Sequence, residues 1–184
     1  MLILGIDPSI NNTGLALYDS SKKVLIEMLT LNAYKALSYV EKHLGYIDKV
    51  RIEGVGGAVF RHHSKKNAMN KMSQRTGQPI AVQNIFEQMF KHHKFKYEVV
   101  PQDSRRRATV EKGKGKPTYR VSRLPKGDTP VGPQLLLLNM PTKTTNEQFE
   151  YLLKAHKVSW QSKDKRSPFG SVDARDAATM IIHL

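Results

Sequence analysis

The sequence predicts a mixed α/β domain that opens with an antiparallel meander. Three observations carry that expectation. Three short apolar runs, Leu2–Ile6, Thr13–Tyr18 and Val24–Leu29, are separated by the turn-forming stretches Asp7-Pro8-Ser9 and Asp19 to Lys23. From residue 33 onward, helical spacing alternates with further strand-like runs. The 184 residues are 39% hydrophobic, enough for one domain with a real core and too apolar for a disordered basic tail.

Taken in order, the first run reads as a buried strand, and the next two pair with it through short polar turns. Ala33, Ala36, Leu37, Val40 and Leu44 recur at helical spacing. Val50-Arg51-Ile52-Glu53 is a fourth strand running into a loop with Gly54, Gly56 and Gly57. Met69, Met72, Ile80, Ile85, Met89 and Phe90 mark a long helix over about 65–90, in which Gly77-Gln78-Pro79 is the one place where a kink or break could fall. Tyr97–Val100 is a fifth strand, stopped by Pro101. Residues 105–126 carry nine Lys or Arg and one acid, punctuated by Gly113, Gly115, Pro117 and Pro125. They read as a basic loop or small irregular hairpin. Asn146–Lys157 is a short helix with Phe149, Leu152 and Leu153 inward, and 159–170 is a polar, basic connection. Ser171–Leu184 is a terminal helix with Ala177, Ala178, Ile181 and Ile182 on its apolar face.

Charge narrows the function. Thirty Lys and Arg against sixteen Asp and Glu give a formal net charge of +14, which calls for a polyanionic partner, with nucleic acid first. The absence of cysteine excludes disulfides, thiol nucleophiles and cysteine-ligated metals. The apolar stretches are too short to span a membrane, and Leu2–Ile6 is too short for the core of a signal peptide. A cytoplasmic location is therefore expected, in a bacterial cell, or in a host cytoplasm or organelle for a phage or viral chain.

In so basic a chain, acids at the ends of apolar elements need a reason. Asp7 ends the first strand, Glu53 ends the fourth, and Asp173 and Asp176 stand three apart on the last helix, where they share a face. Asp7 before Pro8 would also start a turn, and Asp173 and Asp176 would also suit a helix dipole. If the four converge, their repulsion needs cations, and hard carboxylate oxygens suit Mg²⁺ or Mn²⁺. A pair of such ions can activate water and stabilise the leaving oxygen of a phosphodiester.

Leu4-Gly5-Ile6-Asp7-Pro8-Ser9 with Thr13-Gly14 is similar to the opening of RuvC-type Holliday junction resolvases. Val50-Arg51-Ile52-Glu53 resembles that family's second acidic strand, and Asp173-Ala174-Arg175-Asp176-Ala177 its closing Asp-x-x-Asp-Ala helix. The resemblance covers 1–110 and 171–184. It implies a ribonuclease H-like fold with a five-stranded mixed sheet flanked by helices, in a single domain over 1–184. It also implies a homodimer through the 65–90 helix, although a plain core helix would explain the same stripe. The implied activity is two-metal hydrolysis that nicks opposing strands of a four-way junction, leaving 5′-phosphate and 3′-hydroxyl ends. By position, Asp7 bridges two Mg²⁺ ions, with Mn²⁺ as substitute, and Glu53, Asp173 and Asp176 complete their coordination. Where bacterial members carry a junction-opening aromatic this chain has Gly56, which leaves Phe60 as the candidate. Residues 111–145 have no counterpart and form a basic insertion, as in a divergent phage or viral member.

Candidate DNA contacts follow from the cations. Arg61, Lys65 and Lys66 begin a stretch with no acid between 54 and 86, and Arg105, Arg106, Arg107, Lys112, Lys114, Lys116 and Arg120 line a second basic stretch whose one acid is Glu111. Few aromatics interleave, so backbone and shape recognition is expected over base stacking. The adjacent pairs His62-His63 and His92-His93 diverge on any regular element and make poor chelates. Two other readings remain: a ribonuclease acting on RNA–DNA hybrids, and a branched-DNA binder that does not cut.

Overall fold

The computed structural model describes residues 1–54, 66–101, 108–111, 118–121, 146–161 and 169–182, with backbone alone over 66–76, 101, 108–111, 118–121, 147, 148, 151 and 155. Strands β1 (Leu2–Asp7), β2 (Thr13–Asp19) and β3 (Val24–Leu31) form the expected antiparallel meander. β4 (Lys49–Gly54) pairs parallel with β1, and β5 (Tyr97–Pro101) pairs parallel with β4. A two-residue strand that the sequence reading missed, Ser159–Trp160, adds in parallel to the far edge of β3. It is β8, and it lies inside the stretch read as a connection. The sheet order is thus β5-β4-β1-β2-β3-β8, six strands where five were expected. The central five have the order and directions of a ribonuclease H-like fold. Within the basic 105–126 stretch, β6 (Ala108–Glu111) and β7 (Thr118–Val121) pair as a separate small hairpin.

Alternation along the strands divides the core in two. Leu4, Ile6, Leu15, Leu17, Val50 and Ile52 face α1 (Ala33–His43) and α2 (Lys66–His92). Ile3, Ala16, Tyr18 and Leu25 face α3 (Asn146–Ala155) and α4 (Val172–Thr179). Asn32 caps α1 by accepting from the Lys35 amide at 2.9 Å. Helices α2 and α3 end without glycine. Lys94 and Lys157 take the left-handed conformation there, at φ 52° and 56°, so the usual sequence signal for a helix stop is missing.

The long helix over about 65–90 is present as α2, and the terminal helix is shorter than expected. α2 runs unbroken through Gly77 and Pro79. Its described half turns Val82, Phe86 and Phe90 into the core and leaves Ile85 50% exposed. The inward stripe is therefore 82-86-90, and that half is a core helix. α4 stops at Thr179, and Met180–Ile182 continue as buried turns. No helix of the described residues is long and apolar enough to cross a membrane.

α4 lies unusually low on the sheet. A Cβ at Gly14 would overlap the Asp173 carbonyl, and one at Gly5 would overlap the Ala177 carbonyl. Both obstacles are backbone, so neither can swing aside. Gly14→Ala and Gly5→Ala should each lower stability by about 1–3 kcal/mol or more in denaturant unfolding. Phe86→Ala should cost about 3–5 kcal/mol, and Ile85→Ala less than about 0.5 kcal/mol, in the same measurement.

Candidate active site

β1 delivers Asp7 to the end of the sheet, and the chain after it is closed by one side chain. The Thr13 hydroxyl, fully buried, donates to the Ser9 carbonyl and accepts from the Ser9 amide at 3.3 Å. Asp7 pairs with Gly14 across the β1–β2 ladder. On its other side the parallel ladder ends at Ile6 opposite Ile52, so Asp7 and Glu53 follow on neighbouring strands. Both share the face of Gly5 and Arg51, the face covered by α4.

α4 is fixed there at both ends. Ser171 caps it, accepting from the Ala174 amide at 3.2 Å, and its hydroxyl also bonds to the Thr30 hydroxyl at the end of β3. At the far end Arg51, 13% exposed, donates from Nη1 to the Met180 carbonyl at 3.0 Å and from Nε to Glu98 at 3.0 Å. Because Asp173's carbonyl presses on Gly14, and Gly14 is Asp7's partner, the N-terminus of α4 meets the strand end that carries Asp7.

Among the described residues the buried polar and charged side chains are Thr13, Glu53, Arg175 and Asp176, at 0, 4, 7 and 4% exposure. All four belong to this corner. Arg175 folds back from α4 and donates from Nη1 to the Gly170 carbonyl at 2.7 Å. Burial pushes its guanidinium below the ordinary value, while the Asp176 and Asp173 carboxylates push it back up. The sequence reading quoted Arg175 within its motif and gave it no role. An arginine among alanines on an otherwise buried helix was the available signal.

Strand register thus places Asp7 and Glu53 at one end of one sheet face, and the backbone at Asp173 of α4 meets that end at Gly14. Among the described residues no three Asp, Glu or His side chains stand close enough together to hold a metal ion. The carboxylate oxygens of Asp7, Glu53, Asp173 and Asp176 would be hard donors of the kind that suits Mg²⁺ or Mn²⁺.

No protein-family model matches the chain, and no curated protein matches it significantly. A solved structure does resemble it. That of T. thermophilus RuvC in complex with a Holliday junction substrate is similar with a TM-score of 0.48 at 9% identity, over 100% of this chain and 91% of that one. The ribonuclease H-like fold itself stands on the strand order and pairing described above.

Of the other candidate residues, Phe60, Arg61, Lys65, Arg105, Arg106, Arg107, Lys112, Lys114 and Lys116 lie outside the described residues, as do Gly56, His62 and His63. Lys66 is the first residue of α2 and Arg120 lies on β7, each with backbone alone described. His92 and His93 close α2, their rings edge to face, with His93 Nε2 3.4 Å from Glu41. They sit at the opposite end of the sheet from the carboxylates.

Glu98 joins this scaffold to pH. Partial burial alone would raise its carboxyl, but the Lys49 hydrogen bond and the Arg51 and Lys49 charges hold it below its ordinary 4.5. A lowered folded-state value gives stability that is present above pH 4.5 and lost as pH falls through that value. In thermal unfolding, Glu98→Gln should lower Tm at neutral pH and converge with wild type once the pH has fallen through the lowered folded-state value.

Proposed function

We propose that this protein is a divalent-metal-dependent DNA endonuclease that resolves four-way junctions by paired phosphodiester hydrolysis. The reading is carried by one observation: the buried polar and charged side chains of the described core collect where Asp7 and Glu53 end their strands. Burying carboxylates costs several kcal/mol unless cations answer them, so an arrangement of this kind is retained for a purpose. Asp7, Glu53, Asp173 and Asp176 would hold two Mg²⁺ ions. When bound, such a pair supplies charge for activating water and for stabilising the leaving oxygen of a phosphodiester.

The chain's own residues do the remaining work. Gly14 and Gly5 let α4 carry Asp173 and Asp176 down to the sheet, Thr13 and Ser171 hold the two chain entries rigid, and Arg51 anchors the end of α4. The excess of fourteen positive charges draws the DNA backbone in. Each phosphate neutralised by Arg61, Lys65, Lys66, the 105–107 arginines or the insertion's lysines adds about 0.9 to the salt slope of duplex binding. Two copies joined through the exposed side of α2, where Ile85 stands, would present paired sites to opposed strands.

The test is cleavage of a labelled four-way junction beside a linear duplex and an RNA–DNA hybrid, with Mg²⁺, with Mn²⁺ and with chelator. Paired, metal-dependent nicks on the junction alone are expected. Asp7→Asn should lose about three decades of rate or more, several kcal/mol of transition-state stabilisation, while binding the junction as tightly as wild type. Cutting of the hybrid instead would make the enzyme a ribonuclease, and tight junction binding without cutting would make it a binder.

A further inference from the structure

Three lysines stand where the backbone favours glycine or asparagine. Lys23, Lys94 and Lys157 are the non-glycine residues of positive φ among the described residues, at 54°, 52° and 56°. Two of them hold the same place in the same helix-end motif. The Lys94 amide donates to the Lys91 carbonyl at 3.1 Å, and the Phe95 amide to the Phe90 carbonyl at 2.8 Å. Lys157 and Val158 repeat that pair with Lys154 and Leu153, at 3.1 and 2.8 Å. Glycine is the usual residue at that position. Lys23 ends the β2–β3 turn, and its carbonyl accepts from the Ser159 amide at 2.8 Å, which joins its turn to that of Lys157. The charge of Lys23 is felt across that contact, since burial and then Lys23 hold His156 below its ordinary value.

The three share one end of the sheet. They lead into β3, β5 and β8, and those strands begin at the end where β1 begins, opposite Asp7 and Glu53. All three are exposed, and among the described residues none forms an ion pair, whereas Lys22, Lys49 and Lys154 are answered by Asp19, Glu98 and Glu150. Across six strands the lysines span about 24 Å, the rise of about seven base pairs. A small anion cannot bridge that width, and an extended polyanion can. We propose that this end of the sheet is a second DNA-binding surface, on which Lys23, Lys94 and Lys157 contact phosphates of one duplex arm. The inference rests on the reading of DNA as the partner, and not on that of the carboxylates as a metal site.

The experiment measures duplex DNA binding by fluorescence anisotropy over a salt series, in chelator, for the full chain and for the triple variant Lys23→Asn, Lys94→Asn, Lys157→Asn. Asparagine suits the left-handed conformation, so these changes remove the charge and keep the turns. The expected result is a Tm at or above that of wild type, with a salt slope smaller by at least about 1.8, two lost phosphate contacts of about 0.9 each. A smaller decrease, with wild type binding the duplex, overturns the proposal and leaves DNA as the partner of the other basic stretches. No duplex binding by wild type overturns the proposal and the DNA reading together. Should the triple variant fail to fold, the three single variants carry the test. At least two of them should each lower the slope by about 0.9, and fewer than two overturns the proposal.

Discussion

The close approach of α4 to the sheet governs this molecule. Helices usually pack on sheets through interleaved side chains, which keeps the two backbones well apart. Here Gly14 and Gly5 remove the side chains on the covered face, and the carbonyls of Asp173 and Ala177 come down onto the strands themselves. That contact sets the height and direction of α4, and with them the place where its two carboxylates can reach. It also ties the first and last segments of the chain, since Gly14 is the pairing partner of Asp7. The Ser171 cap, the Thr30 hydroxyl and the Arg51 bond to Met180 then hold the helix in a seat that the glycines created.

Electrostatics adds the second half of the account. A chain of +14 attracts polyanions at long range, but its interior corner is built from acids. The two signs act at different distances. Surface cations steer and hold a phosphate backbone, whereas buried carboxylates respond to whatever cation enters among them. Glu98 shows the same economy on the outer edge, where Lys49 and Arg51 share one carboxylate across the ends of β4 and β5.

Strand periodicity and turn residues made the meander and the parallel pair β4–β5 readable in advance, because each strand buries a full face and leaves an unambiguous pattern. The apolar positions of α1, α3 and α4 were equally plain. Reading α2 failed in detail for a physical reason: apolar residues lie on more than one side of it, and only packing decides that Phe86 faces inward while Ile85 does not. β8 is two residues long, too short to leave a period. The ends of α2 and α3 carry lysine where glycine would have marked a stop. At the corner, the four acids stood out because their surroundings are apolar or basic. The roles of Gly5 and Gly14 did not, since a close approach of two backbones leaves no pattern within either segment. Arg175 did leave a signal, an arginine among alanines on a buried helix, but its bond to the Gly170 carbonyl in the turn before the helix leaves none.

The central claim is that α4, seated on Gly5 and Gly14, makes Asp7, Glu53, Asp173 and Asp176 a single divalent-cation site. Anomalous scattering from crystals of the protein soaked in Mn²⁺ tests it most directly. The account predicts manganese peaks bounded by those four carboxylates, at the end of β1 and β4 under the first turn of α4. Peaks confined to other acids, or no peak at that corner at saturating Mn²⁺, would contradict it.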